Sequence, residues 1–475
     1  MMNLGAALLA VPSLCFSQER HTNVILIMAD DLGWGDVGFN GNDWIRTPVL
    51  DSMARNGMVM SDFYSASSVS SPTRASVLTG RNPYRTGVFD ANTGILRPEE
   101  VTLPEVLRAN GYKTGHFGKW HLGSLTHEEK DANRGNPGNM KDYNPPALHG
   151  YDVAFVTESK VPTWDPMRQP VKDRNNKGWK YLEAGEEWEL FGTAYWDING
   201  DKVSDNLDGD DSRVIMDRVI PFIDSASKAD TPFLAVVWFH TPHLPCVAGP
   251  EYAEMYKGMD LLHRNYAGCI TAMDDQIGRL LKFLKAKGLD ENTVIFFCSD
   301  NGPEIGSPGE TGVFRERKRS LHEGGIRVPS LVYWPGTVRP GVSEELASTM
   351  DYFPTVVELT GSDMSMATNI IDGKSFMDVM TGARSASAGK SITFMRGKQI
   401  ASVKGKYKLY GRQGTYELYD VRKDPSESND LSKRRGGLLK RMIKLSKSFR
   451  QSCKESFLGK EYGTESLERT GQKWN

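Results

Sequence analysis

Cysteine is scarce in this chain. There are five among 475 residues, Cys15, Cys246, Cys269, Cys298 and Cys453, and no two form a CxxC pair. That spacing suggests neither a thiolate zinc site nor a dense disulfide framework. An excess of one charge is missing as well, because 58 basic side chains face 60 acidic ones for a formal net charge of −2. A general nucleic-acid binder needs a basic surplus to displace counterions, so none is expected. Long apolar runs are also wanting. Residues 4–16 (LGAALLAVPSLCF) fall short of the ~20 that cross a bilayer. They fit the apolar stretch of a secretory signal peptide, read here as residues 1–17, with small Ser17 near the cleavage point. A lipoprotein anchored at Cys15 is the less favoured reading, since bulky Leu14 precedes it where a small residue is wanted. No transmembrane segment is expected.

What is present is an ordinary globular composition, 39% hydrophobic with 47 glycines, which excludes a disordered chain. Short apolar runs alternate with helical patterns, the mark of α/β architecture. Residues 24–29 (VILIMA), 233–239 (FLAVVWF) and 294–298 (VIFFC) read as strands buried on both faces of a mostly parallel central sheet sandwiched by helices. Residues 103–110 read as a short helix stopped by Gly111, and 274–287 as an amphipathic one stopped by Gly288. The stretch of about 124–210 is rich in Gly, Pro, Asn and Asp and carries Trp164, Trp179, Trp188 and Trp196, so it reads as an irregular, cap-like insertion. Beyond 385, four short strands with glycine turns and a basic helix around 437–452 predict a smaller antiparallel-sheet subdomain. The expected units are therefore a catalytic domain over 22–384 and a C-terminal subdomain over 385–475.

Each core strand runs into polar residues: Asp30-Asp31, His240-Thr241-Pro242-His243 and Ser299-Asp300-Asn301-Gly302. In open α/β sheets, ligands bind beyond the carboxyl ends of the strands. Any one of these acids alone reads as a helix cap or turn residue. Their coincidence at the strand ends points instead to a hard cation with oxygen ligands, Ca2+ or Mg2+. Gly33-x-Gly35-x-x-Gly38 matches a dinucleotide fingerprint, but Asp30, Asp31 and Asp36 would repel a pyrophosphate and 39–48 does not continue as a helix.

Ser70-Ser71-Pro72-Thr73-Arg74 opens a helix that Gly80 stops. Ser70 then sits at a helix N-terminus, where orphan N–H groups and the dipole favour an anion, with Arg74 one turn on. A serine cap with a surface arginine would explain this segment taken alone. Within 111–123, Lys119 and His121 are two apart and would share one face of a strand, a pairing suited to an oxyanion and a proton relay. Lys318 precedes a further glycine turn, Glu323-Gly324-Gly325-Ile326-Arg327.

Together these blocks resemble a type I sulfatase of the alkaline-phosphatase-like superfamily. Ser70-Ser71-Pro72-Thr73-Arg74 resembles the family's (Cys/Ser)-x-Pro-x-Arg signature, extended by Leu78-Thr79-Gly80-Arg81. Residues 111–123 resemble its second signature, and the other blocks follow in family order over about 22–360. The resemblance implies that Ser70 is oxidised to formylglycine (3-oxoalanine). Its hydrated gem-diol attacks sulfur with one hydroxyl and expels sulfate through the other. It implies one Ca2+ on Asp30, Asp31, Asp300, Asn301 and the modified Ser70. Arg74 and Lys119 would hold nucleophile and sulfate, His121 would take the proton of the elimination step, and His243 and Lys318 would bind sulfate and serve the leaving oxygen. His243 is preferred to His240 because it follows Pro242 and precedes Leu244-Pro245. Ser rather than Cys at position 70 is similar to bacterial enzymes matured by a radical-SAM enzyme before export, which implies that maturase as a partner and a periplasmic, cell-surface or secreted location. Lys160-Val-Pro-Thr-Trp164-Asp-Pro166 resembles bacterial glycan sulfatases acting on sulfated galactose-type units, so the expected substrate is a sulfated saccharide of galactose or N-acetylgalactosamine type. The tryptophans, Trp44 among them, would either stack on sugar faces or pack a cap. The competing readings are a phosphatase or phosphonate monoester hydrolase of the same superfamily, and a noncatalytic protein that binds sulfated glycans.

Overall fold

The structure, a computed structural model, describes residues 21–386, 389–462 and 474. The signal peptide expected at 1–17 lies outside the described residues. Five parallel strands form the centre of a ten-stranded sheet in the order Thr293–Ser299, Asn23–Ala29, Phe233–Trp238, Lys113–Lys119 and Val153–Thr157. Alternation along each strand feeds two cores. Val24, Leu26 and Met28 join one buried cluster, while Ile25, Ile27 and Ala29 join the other. Helices Ser70–Thr79 and Tyr352–Thr360 pack in the first, and Pro48–Asn56, Asp211–Lys228 and Leu261–Ala286 in the second. Antiparallel strands flank both sides, Ser330–Tyr333 at one and Tyr195–Asp197 at the other.

Two expectations change. The helix expected at 274–287 begins much earlier, at Leu261, because the Asp260 carboxylate caps it by accepting from the Leu262 and His263 N–H groups. Gly268 hides this extension in the sequence, but a Cβ there would meet the Ala248 Cβ at 2.5 Å, so the glycine serves close packing. The stretch 124–210 is not one irregular insertion. Its strand Val153–Thr157 pairs in parallel with Lys113–Lys119 inside the main sheet, and Tyr195–Asp197 and Lys202–Val203 extend that edge. Short strands embedded among Gly, Pro and Asn give too little periodicity to be read.

The four C-terminal strands, Ser391–Arg396, Gln399–Lys404, Tyr407–Arg412 and Thr415–Asp420, form an antiparallel meander. Leu409 and Leu418 pack on Met442 of the helix Gly436–Phe457, and Phe394 and Val403 pack on Tyr64, Leu321 and Ile326 of the main body. At that contact Lys408, wholly buried, bridges Glu323 at 2.8 Å and Glu427 at 3.1 Å. Glu323 also accepts from the Tyr64 hydroxyl and pairs with Arg327. Removing one partner of a buried ion pair leaves an uncompensated charge. Lys408→Met should therefore lower unfolding free energy by about 3–5 kcal/mol in urea titration. Adding Glu427→Gln should recover part of that loss.

Candidate active site

All five parallel strands point the same way, so their carboxyl ends meet at one edge, and four of them place the residues that matter. Asp30 and Asp31 follow Ala29, Asp300 and Asn301 follow Ser299, Lys119 ends its own strand, and His243 lies on the loop after Trp238. Ser70 opens its helix beside them, with Gly80 in the left-handed conformation at the far end. Ser70 Oγ lies 3.2 Å from Asp30 Oδ1 and 3.5 Å from Asn301 Oδ1. The Asp31 N–H donates to Asp300 Oδ1 at 3.0 Å, and Asn301 Nδ2 donates to Asp31 Oδ1 at 2.7 Å. Asp31 holds a left-handed φ of +65°, a strained backbone for a non-glycine residue.

Each buried carboxylate has its own cation. Lys119 Nζ is 2.7 Å from Asp30, Lys318 Nζ 2.6 Å from Asp31, and Arg74 Nη2 3.0 Å from Asp300. Lys119 reaches Asp30 because the chain turns at Gly118, whose φ is +98° and where a Cβ would fall 2.0 Å from the Trp238 carbonyl oxygen. Arg74 lies with its guanidinium 5.0 Å over the Trp238 ring. Its Nε and Nη1 are buried with no acceptor among the described residues.

Burial alone would raise every carboxyl here. Against that, Lys119, Arg74 and Lys318 hold Asp30 well below the usual range. Burial and the neighbouring Asp30 push Asp300 up to about 7 despite Arg74, and burial raises Asp31 despite Lys318. Burial, then Lys119, Arg134 and Arg74, hold His121 far below its ordinary value, so its imidazole is neutral. Burial and Lys318 do the same to His243.

The strand ends at Lys119, and His121 lies beyond it with φ +57°, so the two do not share a strand face as their spacing suggested. His121 Nε2 bonds Asn92 Oδ1 at 2.7 Å, and because that oxygen also accepts from Asn133, the imidazole is the donor. Its Nδ1 lone pair is left buried and unpaired. His243 Nδ1 donates to the Leu244 carbonyl, which turns the basic Nε2 toward Asp31 Oδ2 at 3.6 Å. His240 is elsewhere, wholly buried between Thr157 Oγ1 at 2.7 Å and Asp211 Oδ2 at 2.8 Å.

One ligand atom each from Asp30, Asp31 and His243 lies within 4.8 Å of the others. With Asp300, Asn301 and Ser70 beside them, the donor set is dominated by oxygen and suits a hard divalent cation. Charge agrees. The three carboxylates are already balanced by Arg74, Lys119 and Lys318, so a divalent ion leaves the site positive and ready for an anionic ester.

Two residues near the site were not assigned to it by the sequence. Lys160 is partly buried, with no hydrogen bond or ion pair among the described residues, and burial followed by Lys119 and Lys318 lowers its pKa. Only the parallel pairing of 153–157 brings it to this edge. Asn92 sits in a loop that carries no motif. The tryptophans mostly pack: Trp179 and Trp196 are buried, Trp196 donating to Asp131, while half-exposed Trp188 is covered by Arg168 at 4.7 Å. Gly33–Gly38 forms two short 3-10 turns instead of a phosphate-binding helix, and Asp36 there accepts from Tyr266.

Two family models match the chain, one described as Sulfatase over residues 22–362, the other as N-sulphoglucosamine sulphohydrolase, C-terminal, over 309–452. The chain is 30% identical to N-acetylgalactosamine-6-sulfatase of Mus musculus over 421 residues, covering 84% of this chain and 74% of that one. It is 30% identical to arylsulfatase A of Homo sapiens over 456 residues, covering 87% and 83%. The crystal structure of Ps i-CgsB in complex with k-i-k-neocarrahexaose superposes with a TM-score of 0.75 at 26% identity, covering 95% of this chain and 96% of that one.

The geometry separates the two histidines by experiment. His240→Ala strips Asp211 and Thr157 of a buried partner and should cost about 1–3 kcal/mol of stability, read as a lowered Tm. His243→Ala should leave Tm nearly unchanged.

Proposed function

The chain belongs to the sulfatase family, a family of sulfuric ester hydrolases, and on that premise we propose that it removes sulfate from a sulfated glycan of galactose or N-acetylgalactosamine type. In this reading residue 70 is converted from serine to formylglycine by a radical-SAM maturase before export to the periplasm or cell surface. One Ca2+ is held by Asp30, Asp31, Asp300, Asn301 and residue 70. A catalytic unit over 22–384 carries the site, and a smaller C-terminal subdomain over 385–475 follows it. The observation that carries the proposal is the meeting of Ser70, three buried aspartates and three buried cations at one sheet edge. The names of the relatives, one acting on N-acetylgalactosamine 6-sulfate and one structure holding a neocarrahexaose, support the substrate class.

When bound, calcium draws charge from the sulfate oxygens and lowers the pKa of a hydroxyl on residue 70. Once serine is oxidised to the aldehyde, addition of water gives residue 70 two hydroxyls: one attacks sulfur, and loss of the proton from the other restores the aldehyde and expels sulfate. Arg74, one turn along the helix, reaches Asp30 and Asp300 through Nη2 and keeps two further buried N–H donors with no acceptor among the described residues, free for sulfate oxygens. Arg74 and Lys119 orient the nucleophile and the sulfate. His121, neutral with a free buried lone pair at Nδ1, takes the proton that the elimination releases. On the Asp31 side, Lys318 Nζ holds the sulfate and donates to the departing sugar oxygen, and His243 joins it once the anionic ester favours protonation of Nε2.

Protein made with a radical-SAM maturase should yield a peptide around Ser70 that is lighter by two hydrogens. Ser70→Ala should release no sulfate, and calcium chelation should stop turnover until Ca2+ is returned. Active enzyme with an unmodified Ser70 would overturn the proposal. A higher kcat/KM on an aryl phosphate than on an aryl sulfate would favour the phosphatase reading, and sulfated-glycan binding without sulfate release the noncatalytic one. His243→Ala should cut kcat/KM by about 10²–10⁴-fold.

A further inference from the structure

A groove of about 750 Å3 runs between the loop that carries Lys318 and the C-terminal meander. Lys318 is common to this groove and the Asp31 site, so the groove adjoins that site. Its lining is strongly basic. Arg315 and Arg319 come from the loop, Arg396 and Arg412 from the meander, against Glu316 and Glu417. In a chain of net charge −2 that density is not background.

These cations differ in what already holds them. Lys318 is paired with Asp31, Arg319 with Glu304 and Arg396 with Asp90. Arg315 donates only to the Tyr419 hydroxyl at 3.3 Å and the Glu427 carbonyl at 3.1 Å. Glu417, one of the carboxylates acting on it, accepts from that same Tyr419. The side chain of Arg412, at the end of its strand, has no hydrogen bond or ion pair among the described residues. Among the described residues the Arg412 guanidinium therefore lines the groove without an anion of its own, and Arg315 stands beside it with no direct ion pair to a carboxylate.

The groove is also rigid. Glu316 and Arg319, on either side of Lys318, hold left-handed φ values of +65° and +74°. Such strain persists only when surroundings enforce it. The Arg319 N–H donates to Ser68, and the Arg319 carbonyl accepts from both Arg396 and Gln399. Gln399 stands directly opposite Arg412 in the sheet, so one side chain ties the loop to the strand that bears the free arginine. No open aromatic face lines the groove, since Tyr410 is stacked on His322 at 3.9 Å. A neutral sugar would want such a platform; planar guanidinium forks suit sulfate or carboxylate oxygens.

We propose that this groove binds the part of the saccharide beyond the sugar being desulfated, and that Arg412 and Arg315 there recognise a second anionic group, a sulfate ester or a carboxylate. The enzyme thereby selects polyanionic oligosaccharides over singly sulfated ones. This rests on the glycan sulfatase reading above.

The test compares kcat/KM of matured enzyme on p-nitrophenyl sulfate, on oligosaccharides with a single sulfate, and on the same saccharides with a second sulfate or a uronic acid. The unaltered enzyme should prefer the doubly charged saccharide, mainly through KM, and added salt should shrink that preference. In Arg412→Gln the ratio of kcat/KM for doubly over singly charged saccharide should fall about tenfold, as expected for loss of a charged hydrogen bond. Arg412→Glu should lower the ratio further, while Arg412→Lys should restore part of it. An equal ratio in the unaltered enzyme and both charge-removing variants overturns the groove proposal while leaving glycan desulfation intact. Cleavage of the aryl sulfate alone, with no saccharide turned over, overturns instead the reading on which it rests.

Discussion

Three aspartates buried at one sheet edge cannot all stay ionised unless cations stand beside them, and much of the architecture serves that requirement. Asp30, Asp31 and Asp300 converge because two adjacent parallel strands end in register there, Ala29 opposite Ser299. Lys119 arrives from another strand of the same sheet, Arg74 from a helix on one face and Lys318 from a loop beyond the last parallel strand. No single segment could hold this cluster. Desolvation of each charge is offset only by partners that the rest of the fold brings in. The outcome is a site balanced in itself, into which a divalent cation and an anionic ester can enter together.

The same principle recurs where the C-terminal meander joins the main body. Lys408, from the meander, lies between Glu323 and Glu427, and Glu323 reaches on to Tyr64 and Arg327. Glu323 begins the glycine turn that follows Lys318, so this contact steadies the loop that carries a site lysine. The match of the C-terminal family model from residue 309 agrees, since it takes in this loop together with the meander. A boundary drawn at 384 by composition divides what the packing treats as one device.

The fold was legible wherever a segment was apolar along its length or capped by a strong local signal. The runs VILIMA and FLAVVWF have no alternative to a two-faced burial, and Pro72 and Gly80 frame their helix by backbone chemistry alone. Legibility failed where tertiary contacts override local preference. Gly268 sits inside a long helix because a neighbouring alanine leaves no room for a side chain. The strand Val153–Thr157 was lost among loop-forming residues, and with it the reason Lys160 reaches the site. His121 was paired with Lys119 by strand periodicity, but the strand stops before it.

By itself the sequence determined the donor chemistry: which oxygens, cations and imidazoles end the strands, and that a serine opens the helix aimed at them. Those are local facts, set by residue type and by capping and burial rules that act over a few positions. Only the tertiary structure decided which cation neutralises which carboxylate, where His240 and His243 lie relative to the aspartates, and that Arg412 lines a groove beside Lys318. These are matters of distance between segments far apart in the chain. Coulomb interactions and desolvation depend on those distances, and composition, balanced here at 58 and 60, carries no record of them.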